Sequence, residues 1–204
     1  MKYLSVIVLI FLVGCSELPR TLEPDEPAIS EMHIKGDYTH EASGMLLPVS
    51  VGSFKRTNMF RYDREAKNFS ADYQMRGIFG RAAIIKVYIY PSSIVSHTPQ
   101  PDINRHFNEV KVSLLDIYPD IDSFFDGTIK IGQKVGVQTG LAASFKHTAP
   151  NLFKKKPCFS QVYLFEHGPW YIRYRVTYPE SNHKKIDPQV GQFMHLLEWP
   201  ALKK

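Results

Sequence analysis

The chain has 204 residues, 25 Lys and Arg against 20 Asp and Glu, a formal charge of +5 and 44% hydrophobic side chains. That length fits one domain and is ample for a well-buried core. Acids are interspersed with bases almost throughout, so there is no cationic stripe of the kind a nucleic-acid binder needs, and that class is set aside.

In chain order, residues 4–13 form an apolar run behind a single basic residue, Lys2, and close on Leu12-Val13-Gly14-Cys15. This is the pattern of a signal peptide cleaved at the membrane. The run falls short of the roughly 20 apolar residues that a spanning helix requires. Leu12-Val13-Gly14 is also a poor small-x-small site, because its first residue is large. The four residues resemble the lipobox of bacterial lipoproteins, with Leu12 and Gly14 in the preferred classes and Cys15 at the invariant position. The resemblance implies cleavage before Cys15, a diacylglycerol thioether on its sulfur and acylation of the freed amine. With about 0.8 kcal/mol per buried methylene, two or three acyl chains anchor stably. The expected mature protein is a lipid-anchored envelope protein that spans nothing. Ser16 stands where an Asp would resemble the inner-membrane retention signal; in a host with two membranes, the periplasmic face of the outer one is favoured.

The expected organisation is a signal peptide over 1–14, a lipidated N-terminus and tether over 15–44, and a single domain over 45–204. Pro19, Pro24 and Pro27 stand among several acids in the tether, where proline favours extended, semi-rigid chain. Met45-Leu46-Leu47-Pro48 is the first stretch able to dock on a core. Phe54 to Asp63 and Lys67 to Met75 read as a hairpin rich in aromatic residues. Arg81 to Tyr90 reads as a central strand, with Ala83, Ile85, Val87 and Ile89 on one face and Lys86, Tyr88 and Tyr90 on the other; Pro91 ends it. Ile103, Phe107, Val110, Leu114 and Ile117 make one face of a helix with Asp102 as N-cap and Pro119 as stop.

Gly127 to Val137 and Thr139 to His147 read as two strands, with their turn near Gly136 or Gly140. Cys158 to Glu166 and Trp170 to Tyr178 form a hairpin around Gly168-Pro169, in which Trp170, Ile172, Tyr174, Val176 and Tyr178 alternate with Tyr171, Arg173, Arg175 and Thr177. Asp187-Pro188 reads as the start of a last helix, with Val190, Phe193, Met194 and Leu197 on one face. Strands in series with helices laid on them indicate an α+β fold with an antiparallel sheet. The runs Phe54-Lys55-Arg56, Tyr62-Asp63, Val87-Tyr88-Ile89-Tyr90-Pro91 and Trp170 to Pro179 resemble the PsbP-like fold. That resemblance implies an α-β-α sandwich used mostly as an assembly or binding module.

Chemical motifs are sparse. The eight histidines include no His-x-His and no His-Glu-x-x-His, so neither a metal nor a cofactor is expected; His106 and His195 read as helix-face residues. There is no Gly-x-Ser-x-Gly, and Gly132, Gly136 and Gly140 complete no phosphate loop and read as turn residues. Asp120, Asp122 and Asp126 lack an EF-hand pattern. Lys154-Lys155-Lys156 and His183-Lys184-Lys185 read as solvated loop clusters, with contact to anionic headgroups or an acidic partner as the functional alternative. With Cys15 lipidated, Cys158 is left alone, and at the head of an apolar strand it reads as an inert buried thiol. The partner-binding candidates are Tyr88, Tyr90, Tyr171, Arg173 and Arg175, which alternation turns away from the apolar face; paired arginines can clamp a carboxylate or phosphate. A non-catalytic envelope binding or assembly module leads this reading. An envelope hydrolase acting on glycan or lipid through a carboxylate pair or a Ser/His pair, and a small-ligand carrier, stand as alternatives.

Overall fold

The computed structural model describes residues 29–202, apart from 79, 96–101, 122–123, 149–152 and 154–155. The signal peptide, Cys15, the tether as far as residue 28, His97, Asp122, Lys154 and Lys155 lie outside the described residues. Two antiparallel meanders build the sheet. The first comprises β5 (Phe54–Arg61), β6 (Phe69–Gly77) and β7 (Gly80–Pro91). The second comprises β8 (Phe125–Gln133), β9 (Gly136–Thr148), β10 (Pro157–His167) and β11 (Trp170–Pro179). They join where β11 pairs with β7, giving a nine-stranded sheet in the order β1-β5-β6-β7-β11-β10-β9-β8, with the short β4 (Ser50–Val51) also paired to β5. Half-buried alternation drives these strands: every second residue of β7 and β11 is aliphatic or aromatic and enters the core.

The described elements reach back before residue 45. β1 (Ser30–Glu31) pairs with β5, and β2 (Tyr38–Thr39) pairs with β3 (Leu46–Leu47). Arg56 ties this N-terminal segment down by donating to the carbonyls of Leu47 and Gly36, and to that of Ile34 at 3.3 Å. Met45 and Leu47 are fully buried, as their sequence position suggested.

A short turn of helix, α1 (Ser92–Val95), leads from β7 toward α2 (Ile103–Ile117), whose N-cap is Asp102: its carboxylate accepts from the backbone amides of Asn104 and Arg105. Phe107, Val110 and Leu114 of α2 pack with Tyr90, Phe145, Val162, Leu164 and Tyr171. The other helix, α3 (His183–Leu196), places Ile186, Val190, Phe193 and Met194 in a second cluster with Phe54, Tyr73, Ile85, Phe165 and Tyr174. Along β10 and β11 the side chains alternate between the two clusters. The structure is thus α+β with an antiparallel sheet and few helices, and no described helix is long and apolar enough to cross a membrane.

Two boundaries differ from the sequence reading. α3 starts at His183, behind a 3-10 turn over Glu180–Asn182, so Pro188 lies inside the helix and His183-Lys184-Lys185 form its first turn rather than a loop. The proline is tolerated because the carbonyl it leaves without a partner, that of Lys184, belongs to an exposed residue that water can reach. The β8–β9 turn is Lys134–Val135, with Gln133 opposite Gly136, whose φ of 105° closes it. Gly140 lies within β9.

Candidate functional site

The five candidate side chains do lie on one face, where β7 and β11 pair. Cross-strand register puts Lys86 opposite Arg175, Tyr88 opposite Arg173 and Tyr90 opposite Tyr171. On the other side of β7, Asp72 and Ser70 of β6 stand opposite Lys86 and Tyr88, and beyond them Asn58 and Phe60 of β5. One row across the sheet therefore reads Asn58, Asp72, Lys86, Arg175. The next reads Phe60, Ser70, Tyr88, Arg173.

The candidates do not form a single exposed patch. Tyr90 and Tyr171 are 5% and 0% exposed, because the apolar stripe of α2 covers their end of the face. Tyr88, Arg173 and Arg175 lie beyond that cover and stay half-buried. The uncovered part is a groove made of two hollows, one on either side of Tyr88, which lines both. One holds about 410 Å³ and is lined by Asp72, Arg81, Lys86, Tyr88, Tyr118 and Arg175 among others; the other holds about 220 Å³, with Tyr62, Tyr88, Tyr90, His106 and Arg173. Among the described residues Asp72 is the one carboxylate lining it, against Arg81, Lys86, Arg173 and Arg175.

Aromatic rings hold these cations. The Arg173 guanidinium lies 4.0 Å from the Tyr88 ring centre and 5.7 Å from that of Tyr90, and Tyr62 stacks on Tyr88 at 6.4 Å. Arg175 lies 5.0 Å over the Tyr118 ring and donates from Nη2 to the Tyr118 hydroxyl at 2.5 Å. Neither arginine has an ion pair among the described residues, and Arg173 Nε is buried without a hydrogen-bond partner there. Lys86 contacts Asp72 at 3.3 Å. Burial works against its charge, but Tyr88, Asp72 and Tyr62 together outweigh that and raise its pKa. Burial raises the Asp72 pKa in spite of Lys86 and Arg81. Like charges directly opposite on neighbouring strands destabilise a sheet, and Lys86 against Arg175 is such a pair with a single acid beside it.

The sequence reading missed His106, which it placed on a helix face. It is 7% exposed, stacked on Tyr171 at 5.0 Å and hydrogen-bonded through Nε2 to the Tyr90 hydroxyl at 2.7 Å. Glu109 Oε2 lies 3.4 Å from Nδ1 and can only accept, which puts the proton on Nδ1 and makes Tyr90 the donor to Nε2. Burial lowers the His106 pKa and raises that of Tyr90 to about 12. The spacing signal was available: His106 precedes Phe107 and is three and four residues from Ile103 and Val110, at the edge of the apolar stripe.

A Ser/His pair is also present. His147 Nε2 is 2.8 Å from Ser160 Oγ, which is 2.8 Å from Thr177 Oγ1. Ser160 is 0% exposed, and the nearby Asp120 carboxylate accepts from the backbone amide of Thr148 while His147 Nδ1 has no hydrogen-bond partner among the described residues. A nucleophile must reach its substrate and its base must be oriented by a third group; this trio meets neither condition and acts as a polar staple between strands. Asp126 pairs with Lys111, so these acids are engaged within the fold. Among the described residues no three His, Cys, Asp or Glu side chains are grouped to hold a metal. Cys158 is fully buried.

The chain matches no protein-family model and no curated protein.

Proposed function

We propose that the protein is a lipid-anchored envelope protein of bacteria whose domain, of PsbP-like α-β-α arrangement, is a non-catalytic module that binds an acidic protein partner in the arginine–tyrosine groove. The lipobox residues Leu12 to Cys15 support the anchor. The two helices, packed into separate clusters with alternate sheet residues, support the arrangement. One observation carries the binding role: Lys86, Arg173 and Arg175 are gathered beside the half-buried rings of Tyr62 and Tyr88, and among the described residues only Asp72 lines the groove to balance them. A partner carboxylate placed beside Arg173 and Arg175 would relieve the Lys86–Arg175 repulsion. Arginine and tyrosine are the side chains that dominate binding hot spots.

The test is cross-linking in cells followed by pull-down. Arg173→Ala and Arg175→Ala are expected to lose the partner while unfolding within about 1 kcal/mol of wild type, since a half-exposed cation–π contact contributes about 0.5–1 kcal/mol. An unchanged partner set with a lowered melting temperature would return both arginines to a purely structural role. The anchor has its own readout: peptide mass spectrometry should find acylated Cys15 in the membrane fraction, and Cys15→Ala should accumulate as unlipidated precursor.

A further inference from the structure

A second basic surface lies at the far end of the β6–β7 hairpin, where Gly77 pairs with Gly80 across a two-residue turn that contains Ile78. Ile78 is 94% exposed, the most exposed of the large hydrophobic residues in the described chain. Gly80 has a φ of +117°, a backbone state that frees the turn from the strand geometry on either side. Immediately behind the tip, Arg76 stands directly opposite Arg81. These two line a groove of about 700 Å³ together with Lys156, just before β10, and Lys185, in the first turn of α3. Among the described residues, no carboxylate lines this groove.

The two features call for the same occupant. Four cations around a groove that no described carboxylate lines, Arg81 alone among them also facing Asp72 and two of them forced opposite each other by strand register, are complementary to anions. An aliphatic side chain held out on a turn, two residues beyond the Arg76 guanidinium, is left almost wholly uncovered by the described residues. A flat protein interface would bury such a residue in a pocket with aromatic neighbours. A bilayer instead takes a convex apolar tip into the headgroup and acyl boundary while the arginines behind it sit at phosphate depth. We propose that this end of the domain docks on an anionic membrane surface, with Ile78 inserted and Arg76, Arg81, Lys156 and Lys185 holding lipid phosphates. The surface shares Arg81 with the groove assigned above to a protein partner, whereas Ile78, Arg76, Lys156 and Lys185 belong to it and not to that groove, and the proposal stands whether or not Cys15 is acylated.

The full chain carrying Ile78→Cys, labelled there with the environment-sensitive dye NBD and the labelled position verified by peptide mass, tests it. After reconstitution into vesicles of equal phosphatidylglycerol and phosphatidylcholine, NBD emission is expected to shift to the blue and resist quenching by dithionite. In pure phosphatidylcholine vesicles the dye should remain exposed. Arg76→Glu combined with Lys185→Glu leaves the arginine–tyrosine groove untouched and should abolish the protection, with near-ultraviolet circular dichroism unchanged. Equal protection in the two lipids, or protection that survives charge reversal, would overturn the proposal. Protection that appears only with an added acidic envelope protein would overturn it in favour of a protein partner.

Discussion

Gly140 shows how a single residue can be misread from sequence. Beside Gly136 it has the look of a turn residue, yet it lies inside β9, and a Cβ built on it would come within 2.4 Å of Phe165 Cδ1 and 2.6 Å of the Leu164 carbonyl oxygen. The glycine is there because the neighbouring strand and its phenylalanine approach too closely for any side chain. Sequence cannot separate that role from a turn, because the neighbour is distant along the chain. Gly140→Ala is expected to cost about 1–3 kcal/mol, as overpacking does, read as a lower urea midpoint with an unchanged slope. Gly127, in β8, meets nothing within 4 Å. Gly127→Ala should be neutral or raise stability by up to about 1 kcal/mol through the unfolded chain, which makes it the matched control.

At the scale of elements, strands were legible because alternation is a local signal, and α2 because Asp102 caps a clean apolar stripe. The start of α3 was not: proline suits a first turn so well that Pro188 drew the boundary toward itself, whereas Ile186 shows the apolar face beginning earlier. The packing between elements was out of reach of periodicity. Gln133 is the clearest instance, since it bridges the end of β8 to the end of α3 by donating from Nε2 to the Met194 carbonyl at 2.7 Å and accepting the Trp199 amide at 3.1 Å. It is 9% exposed, and Gln133→Leu would leave both backbone groups buried and unmet, at about 1–3 kcal/mol each. The expected result is a clear drop in melting temperature together with faster hydrogen exchange at the Trp199 amide.

For the whole molecule, buried histidines set the response to acid. Burial lowers the pKa of His40, His106 and His147 below the ordinary 6.5. The unfolded chain then takes up protons at those positions before the native one does, so stability is full above about 6.5 and is lost as the pH falls through that value toward the native pKa values. Melting temperature should decline across that window, and a variant such as His106→Gln should show a shallower decline. Opposite dependence, with stability rising as the pH falls below 6.5, would contradict these assignments. The site itself was half legible: alternation placed Tyr88, Tyr90, Tyr171, Arg173 and Arg175 on a common face. Which of them α2 covers depends on how α2 packs against both β7 before it and strands that follow it by tens of residues, and no local pattern records that.

The seam between β7 and β11 also governs how the chain assembles. Each meander forms from neighbouring segments, whereas the seam brings together residues such as Lys86 and Arg175 that are far apart in sequence. Closing so long a loop costs entropy before any contact rewards it, which makes the seam the slow step expected in folding. Groove residues come from both sides of it, Lys86 and Tyr88 from one meander, Arg173 and Arg175 from the other, so a ligand held between them binds only a chain whose halves have already met. Occupancy would therefore slow the parting of the two meanders, and in the bound protein the lifetime of the native state would be set by how tightly the groove is filled.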